Sequence, residues 1–163
     1  MKRILAWIVL LCCCAGPASA QIGVVRIGVN GLTCSQCTRS VEKKLRQLPF
    51  VADVSMNLAN TSGEIRLQPG AAFRPAALPT AVRDAGFSVR FVHLLLRDPA
   101  AFPRSGNCLS VDGLNIRLTG ALPSAEAKLW VLQLLGAAFG GKQLPKGEAG
   151  CGGSGLQATV SAE

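Results

Sequence analysis

The fold is decided by residues 24–58, which read VVRIGVNGLTCSQCTRSVEKKLRQLPFVADVSMNL. Apolar residues first occupy every second position, the pattern of a strand with one buried face: Val25, Ile27 and Val29. The spacing then changes to that of one helix face: Cys37, Val41, Leu45 and Leu48. Pro49 stops this helix because proline lacks the backbone hydrogen-bond donor. Alternation resumes at Val54, Met56 and Leu58, so the stretch predicts strand, helix and strand.

The residues after this stretch complete a repeat of the same kind. A turn at Asn60–Gly63 precedes an alternation at Ile65 and Leu67. A second helix follows, with either Pro75 or Pro79 in its first turn and with three residues facing inward: Leu78, Val82 and Ala85. A last strand alternates through Phe87, Val89 and Phe91. The order β-α-β-β-α-β predicts an α+β fold of ferredoxin-like type, with two helices on one face of an antiparallel sheet.

Two cysteines stand at the first strand-to-helix junction, in Gly31-Leu32-Thr33-Cys34-Ser35-Gln36-Cys37. Two intervening residues, with the second cysteine in the first helical turn, bring both sulfurs to one edge of the loop. Thiolates select soft ions, namely Cu(I), Hg(II) and, less well, Zn(II). Two thiolates suit near-linear Cu(I) or Hg(II), whereas structural zinc takes four ligands. Partial positive charge at the helix amino terminus favours the thiolate form. We therefore predict a soft-metal site at Cys34 and Cys37.

The junction resembles the heavy-metal-associated (HMA) family, whose fingerprint is Gly-Met-Thr-Cys-x-x-Cys after the first strand. The matching positions extend over residues 22–92: Cys34, Cys37, Val41, Leu45, Val51, Val54 and Ala85-Gly86-Phe87. Leu32 stands where the family has methionine, and the resemblance implies that it packs beneath the loop. It also implies that Phe87 shields the loop. Thr33 is expected to contribute loop hydrogen bonds. The chain is similar in these respects to periplasmic mercury-binding proteins and copper chaperones.

A Cys-x-x-Cys pair can also serve functions other than metal binding. It can carry out thiol-disulfide exchange, as in a periplasmic oxidoreductase, although Ser35-Gln36 and the predicted strand order argue against that. It can also persist in an HMA-fold interaction module that transfers no metal. We find no Ser-His-Asp set, paired acids or cofactor loop in the sequence, and we expect no enzyme. The only histidine, His93, is predicted to lie away from the loop.

Four basic residues follow the cysteines on the predicted helix: Arg39, Lys43, Lys44 and Arg46. They form either a solvated helix face or a docking surface for an acidic metal-transfer protein or a membrane metal transporter, because opposite charges steer encounters. Basic residues interleaved with aromatic residues are missing from the sequence, which argues against nucleic acid.

Residues 1–20 have the pattern of a signal peptide. Lys2 and Arg3 precede an apolar run that is too short to span a bilayer, and Ala18-Ser19-Ala20 fits a cleavage site. We expect cleavage after Ala20, a periplasmic or secreted product, and contact with a membrane only through this transient segment. Removing Lys2 and Arg3 lowers the formal charge from +8 to +6, which favours acidic partners.

The mature chain is predicted to divide into an HMA-like domain (21–96), a linker (97–105) and a small α+β segment (106–163). In the last segment we expect strands at 109–111, 114–118 and 156–160, and a helix that starts at Pro123-Ser124-Ala125-Glu126 and continues to Phe139. Residues 111–126 resemble the BON domain of exported bacterial proteins. Cys108 and Cys151 flank this unit and are expected to form a disulfide in an oxidising compartment. A second metal site or a thiol relay is the alternative.

Overall fold

The computed structural model describes residues 22–123, 127–141, 151 and 155–162. The predicted signal peptide lies outside these residues. The first half of the chain confirms the predicted order: β1 (Val24–Asn30), α1 (Ser35–Arg46), β2 (Val51–Asn57), β3 (Ser62–Leu67), α2 (Ala77–Asp84) and β4 (Ser88–Arg97). The strands lie side by side in the order β2-β3-β1-β4, and all three pairings are antiparallel. This half is the predicted ferredoxin-like fold.

The alternating residues of β1 form the centre of the core. Val25, Ile27 and Val29 are fully buried, as are Val41 and Leu45 of the first helix. Burial of one such side chain contributes about 1.5–3 kcal/mol to stability. Leu78 and Val82 of the second helix are also fully buried. The periodicity was therefore a sufficient guide to the inward faces of β1, α1 and α2.

A bulge interrupts the pairing of β1 with β4 close to the cysteine loop. The register shifts between Gly28 and Val29, so that Gly28 lies opposite Phe91 and Val29 lies opposite Val89. A side chain at Gly28 would collide with the Phe91 ring. Glycine is therefore required at this position for the ring to cover the strand.

The sheet continues beyond β4, which pairs along Arg97–His93 with a strand from the second half of the chain. That half contains β5 (Arg104–Ser105), β6 (Cys108–Val111), β7 (Leu114–Thr119), β8 (Leu129–Leu134) and β9 (Leu156–Ala162). Among the described residues, nine strands form one sheet in the order β2-β3-β1-β4-β8-β9-β7-β6-β5. The hydrogen-bonded sheet thus crosses the boundary that we predicted near residue 97; the division into two domains stays a prediction.

The helix predicted from Pro123 to Phe139 is wrong for the described part of that range. Residues 129–134 form β8, and Ala137–Phe139 is a single 3-10 turn. Trp130, Val131 and Leu132 are all buried, so both faces of β8 are covered, and β8 pairs with β4 and β9 in the interior of the sheet. A strand that is buried on both faces has a continuous apolar run, which periodicity cannot distinguish from a helix. The start of the predicted helix, at 124–126, lies outside the described residues.

The predicted linker contains local structure. A 3-10 turn spans Pro99–Ala101, and β5 follows it. The two halves also meet where the described chain begins: the Ile22 backbone N–H donates to Oδ2 of Asp112 at 2.8 Å, and the Ile22 side chain is buried. Asp112 lies in the turn between β6 and β7. Within the described ranges we find no helix long and apolar enough to cross a membrane.

Candidate metal centre

The cysteine loop is held between the end of β1 and the start of α1. Gly31 adopts φ of 81°, a left-handed conformation that glycine enters without strain. Leu32 then turns inward and is only 3% exposed, as the resemblance implied. Cys34 has extended backbone angles and is the residue that caps the helix. A buried anchor on one side and a helix end on the other thus position the loop.

The two cysteines contact each other through the helix cap. The backbone N–H of Cys37 donates to Sγ of Cys34 at 3.1 Å, and the N–H of Thr38 donates to the Cys34 carbonyl at 3.2 Å. The first turn contains no acidic residue. Since free N–H groups at a helix amino terminus carry partial positive charge, this end of α1 favours negative charge on the sulfurs.

The structure joins Cys34 and Cys37 in a disulfide, with their Cα atoms 5.2 Å apart. Cys34 is exposed, whereas Cys37 is half-buried and packs against the core. Both sulfurs therefore lie at one edge of the loop. Among the described residues, no group of three or more His, Cys, Asp or Glu side chains is arranged to hold a metal ion. The chemistry available here is that of two sulfurs: a disulfide when oxidised and a two-thiolate ligand pair when reduced.

Phe87 lies beside the loop. Its Cδ1 is 3.8 Å from the position that a Cβ would take on Gly31, and the ring is half-buried against the core. Gly86 makes the preceding turn at φ of 90°, and the Phe87 N–H donates to the Val82 carbonyl at 3.1 Å. The ring is therefore held at the loop by the end of α2. Thr33 is exposed, and its loop hydrogen bonds stay a prediction.

Thr38 was missed by the sequence analysis. It is buried, and its hydroxyl donates to the Ser35 carbonyl at 2.7 Å. This bond fastens the first turn of α1 directly after the second cysteine. The signal was a threonine on the predicted inward face, one position after Cys37, where a buried hydroxyl needs a partner.

The four basic residues of α1 are in different environments. Arg39 and Lys43 are exposed, one turn apart on the outer face, and Lys44 is half-buried on the side near α2. Arg46 instead forms an ion pair with Asp53 at 2.5 Å and donates to the Val54 carbonyl. Hydrogen bonds from Arg46 and, at 3.0 Å, from Arg66 lower the pKa of Asp53.

Glu42 and Arg46 together close the outer edge of β2. Oε1 of Glu42 accepts a hydrogen bond from the Met56 N–H at 2.9 Å, and Arg46 satisfies the Val54 carbonyl. Both backbone groups belong to the edge strand of the sheet. Arg46 is therefore engaged within the fold, and the docking role predicted for the four basic residues is untested.

The remaining candidate residues lie apart from the loop. Cys108 and Cys151 are joined in a second disulfide, with Cα atoms 5.7 Å apart; Cys108 is half-buried and Cys151 is buried. His93 lies opposite Arg26 in the β1–β4 pairing and stacks on Phe91 with ring centroids 4.3 Å apart. This position is four residues back along β1 from Asn30, where the loop begins.

Comparisons with known proteins agree with this geometry. The sequence model of the heavy-metal-associated domain matches residues 26–88. The chain is 44% identical over 70 residues to copper-transporting ATPase 1 of Rhizobium meliloti, a match that covers 43% of this chain and 8% of the relative. It is 40% identical over 68 residues to copper-transporting ATPase 2 of Homo sapiens, covering 42% of this chain and 5% of that protein.

Among solved structures, the water-soluble region of the P-type ATPase CopA from Bacillus subtilis matches with 28% identity and a TM-score of 0.38, covering 42% of this chain and 44% of that one. The chain thus spans under a tenth of the length of the two ATPase relatives. The family model's match at residues 26–88 covers the cysteine loop, the two helices and most of the first three strands. Residues 26–88 of this chain therefore form a heavy-metal-associated domain.

Proposed function

We propose that this protein binds Cu(I) through Cys34 and Cys37 and transfers it to a partner. The observation that carries the proposal is the meeting of two sulfurs at the helix end of a heavy-metal-associated domain. No third ligand is grouped with them in the described ranges. A two-sulfur site is complete for Cu(I) and leaves Zn(II) short of its usual four ligands.

Copper is favoured over mercury by the relatives. The two reported above are named as copper-transporting ATPases. Two thiolates also suit Hg(II), so mercury is the alternative cargo to test beside copper. Zn(II) is the third, and we expect it to bind more weakly than either soft ion.

Transfer is supported by the exposure of the site. Cys34 is at the surface, and a partner's thiolate can reach a metal held there by adding a third bond before the first ones break. Arg39 and Lys43 lie exposed on the same helix, two and six residues beyond Cys37. A positive surface of this kind steers an acidic metal-transfer protein or the acidic domain of a membrane transporter towards the loop.

The place of action that we propose is the periplasm or the exterior. The support is the sequence of residues 1–20, with its basic start, short apolar run and Ala18-Ser19-Ala20. Mass spectrometry of the exported protein tests this proposal. A new amino terminus at Gln21 is the expected result, and an intact Met1 terminus in the mature protein contradicts it.

The binding proposal is tested with chemically reduced protein under anaerobic conditions. Cu(I), Hg(II) and Zn(II) are each titrated against a competing chromophoric chelator. We expect one Cu(I) per chain, bound more tightly than Zn(II). The variant with Cys34→Ser and Cys37→Ser is expected to lose this binding.

The matched control replaces the other pair, with Cys108→Ser and Cys151→Ser. We expect it to bind Cu(I) like the unmodified protein, provided that circular dichroism shows it folded. Binding that survives loss of Cys34 and Cys37 contradicts the proposed site. Reduction of insulin by the metal-free protein would instead support the oxidoreductase alternative.

A further inference from the structure

The two cysteines of the Cys34–Cys37 disulfide differ in exposure. Cys34 is exposed, whereas Cys37 packs against the hydrophobic core. A thiolate breaks a disulfide by attacking one sulfur from the side opposite the sulfur that leaves. Attack on Cys34 therefore comes from solvent. Attack on Cys37 is more hindered, because this half-buried residue packs against the core.

We propose that a protein dithiol reduces this disulfide by attacking Cys34, and that this reaction supplies the form of the site that takes up metal. The inference rests on the proposed function, because a soft-metal ligand pair needs both sulfurs as thiolates. The class of reaction that must precede metal capture is thus thiol-disulfide exchange, with this chain as the substrate that is reduced.

The exchange balances in two steps. A thiolate of the dithiol bonds to Sγ of Cys34, the bond to Cys37 breaks, and Cys37 leaves as a thiolate that takes up a proton. The second thiol of the dithiol then loses its proton and attacks its own partner sulfur in the mixed disulfide, and Cys34 leaves as a thiolate. The Cys34–Cys37 pair gains two electrons, and the dithiol is oxidised to a disulfide.

A dithiol is favoured over a single thiol because of the short distance between the two cysteines. Their Cα atoms are 5.2 Å apart, so Cys37 can attack a mixed disulfide at Cys34 and expel the reductant. Such an intramolecular reaction has a high effective concentration. Only a reductant that carries its own second thiol resolves the mixed disulfide by an equally intramolecular step.

The helix end assists attack at this position. The first turn of α1 has no acidic residue, and Arg39 is exposed one turn further along. The partial positive charge of the free N–H groups favours both the arriving thiolate and the negative charge that spreads over the sulfurs. The incoming thiolate therefore meets an attractive field at Cys34.

The Cys108–Cys151 disulfide of the same chain serves as a control for the rate of reduction. Cys151 is 7% exposed and Cys108 is half-buried, so neither residue is as exposed as Cys34. Access to sulfur controls the rate of exchange. The same reductant should therefore reduce Cys34–Cys37 and leave Cys108–Cys151 intact.

The experiment mixes the oxidised purified chain with thioredoxin, used here as a probe dithiol, in a form whose second cysteine is replaced by serine. The mixture is quenched with acid, free thiols are alkylated, and mixed disulfides are mapped by mass spectrometry. We expect the probe on Cys34 and the alkyl group on Cys37. The probe on Cys37, Cys108 or Cys151 would overturn the proposal, and so would failure of intact thioredoxin to reduce Cys34–Cys37.

A second measurement separates dithiol from single thiol. Intact thioredoxin and glutathione are compared at equal thiol concentration, and we expect reduction of Cys34–Cys37 to be at least about tenfold faster with thioredoxin. Equal rates would refute the dithiol assignment.

Cu(I) titration of the chemically reduced chain distinguishes failure of this inference from failure of the proposed metal-binding function. Cu(I) binding without reduction of Cys34–Cys37 by thioredoxin overturns this inference alone, whereas reduction without Cu(I) binding upholds the exchange and overturns the metal-carrier function.

Discussion

The backbone N–H of Cys37 donates a hydrogen bond to Sγ of Cys34 at 3.1 Å. The first cysteine of the pair is therefore also the amino-terminal cap of α1. Cys34 thus has two roles: it supplies one sulfur of the pair, and it caps the start of α1. A change at this position alters both the ligand set and the stability of the helix, and the two effects can be measured apart.

The cap predicts a difference between two substitutions at Cys34. In a Cys37→Ser background, where no disulfide can form, Cys34→Ser keeps an oxygen that accepts the N–H, whereas Cys34→Ala removes the acceptor. We expect the alanine variant to be less stable than the serine variant by about 1 kcal/mol. Denaturant unfolding measures the difference, and both variants lose the metal. Equal stabilities would show that the cap contributes nothing.

The ion pair between Arg46 and Asp53 predicts a dependence of stability on pH. Hydrogen bonds from Arg46 and Arg66 lower the pKa of Asp53 in the folded state. The stabilising contribution is therefore complete above the pKa of the unfolded chain, about 3.9, and is lost as the pH falls through the lower folded value.

The matched variant for this test is Asp53→Asn. At pH 6 we expect the unmodified protein to have the larger free energy of unfolding, and below pH 3 we expect the difference to shrink. Urea unfolding at the two pH values gives the comparison. A difference that stays constant with pH would assign the effect of the substitution to something other than ionised Asp53.

Gly140 follows the 3-10 turn at Ala137–Phe139 and approaches β4 closely. Its φ is 73°, and a Cβ there would collide with the Arg90 carbonyl. Gly113, in the β6–β7 turn, has φ of 74° with open space around it. We expect Gly113→Ala to cost about 1 kcal/mol from backbone conformation alone, and Gly140→Ala to cost clearly more, because the β4 backbone must move. Thermal unfolding of the two variants measures the contrast, and similar midpoints would contradict the close approach.

Glu42 covers a backbone N–H at the exposed edge of the sheet. Glu42→Ala leaves the Met56 N–H without this acceptor, and we expect a loss of about 1 kcal/mol together with a greater tendency to associate through β2. Glu42→Gln keeps an oxygen at the same place and is the control. Analytical ultracentrifugation reports association. If alanine and glutamine variants behave alike, the edge does not depend on Glu42.

Much of the first half of this protein could be predicted from local patterns in the sequence. The strand and helix of residues 24–58 each have their own period and their own stop signal, and local backbone preferences decide such features. The position of the two sulfurs could be predicted for the same reason, since two intervening residues and one helical turn determine where they meet.

The second half required the tertiary structure. Leu129, Leu132 and Leu135 have the spacing of a helix face, whereas Trp130, Leu132 and Leu134 have the spacing of a strand face. The strand forms because β4 and β9 pair with the backbone of this segment, and these last three residues are buried. Strands that are remote in sequence decide whether this segment is a helix or a strand, so the local sequence does not predict it.

The local sequence was also insufficient to predict how the residues of the candidate site differ from one another. From the sequence, Arg46 is one of four similar cations and Cys34 is equivalent to Cys37. Tertiary structure brings Asp53 to Arg46 and places the core against Cys37 while Cys34 stays in solvent. The sequence by itself determined the ferredoxin-like order and the pair of sulfurs, because both depend on residues close in the chain. Which charge is engaged and which sulfur is open depend on packing between distant segments, and only the folded structure decided them.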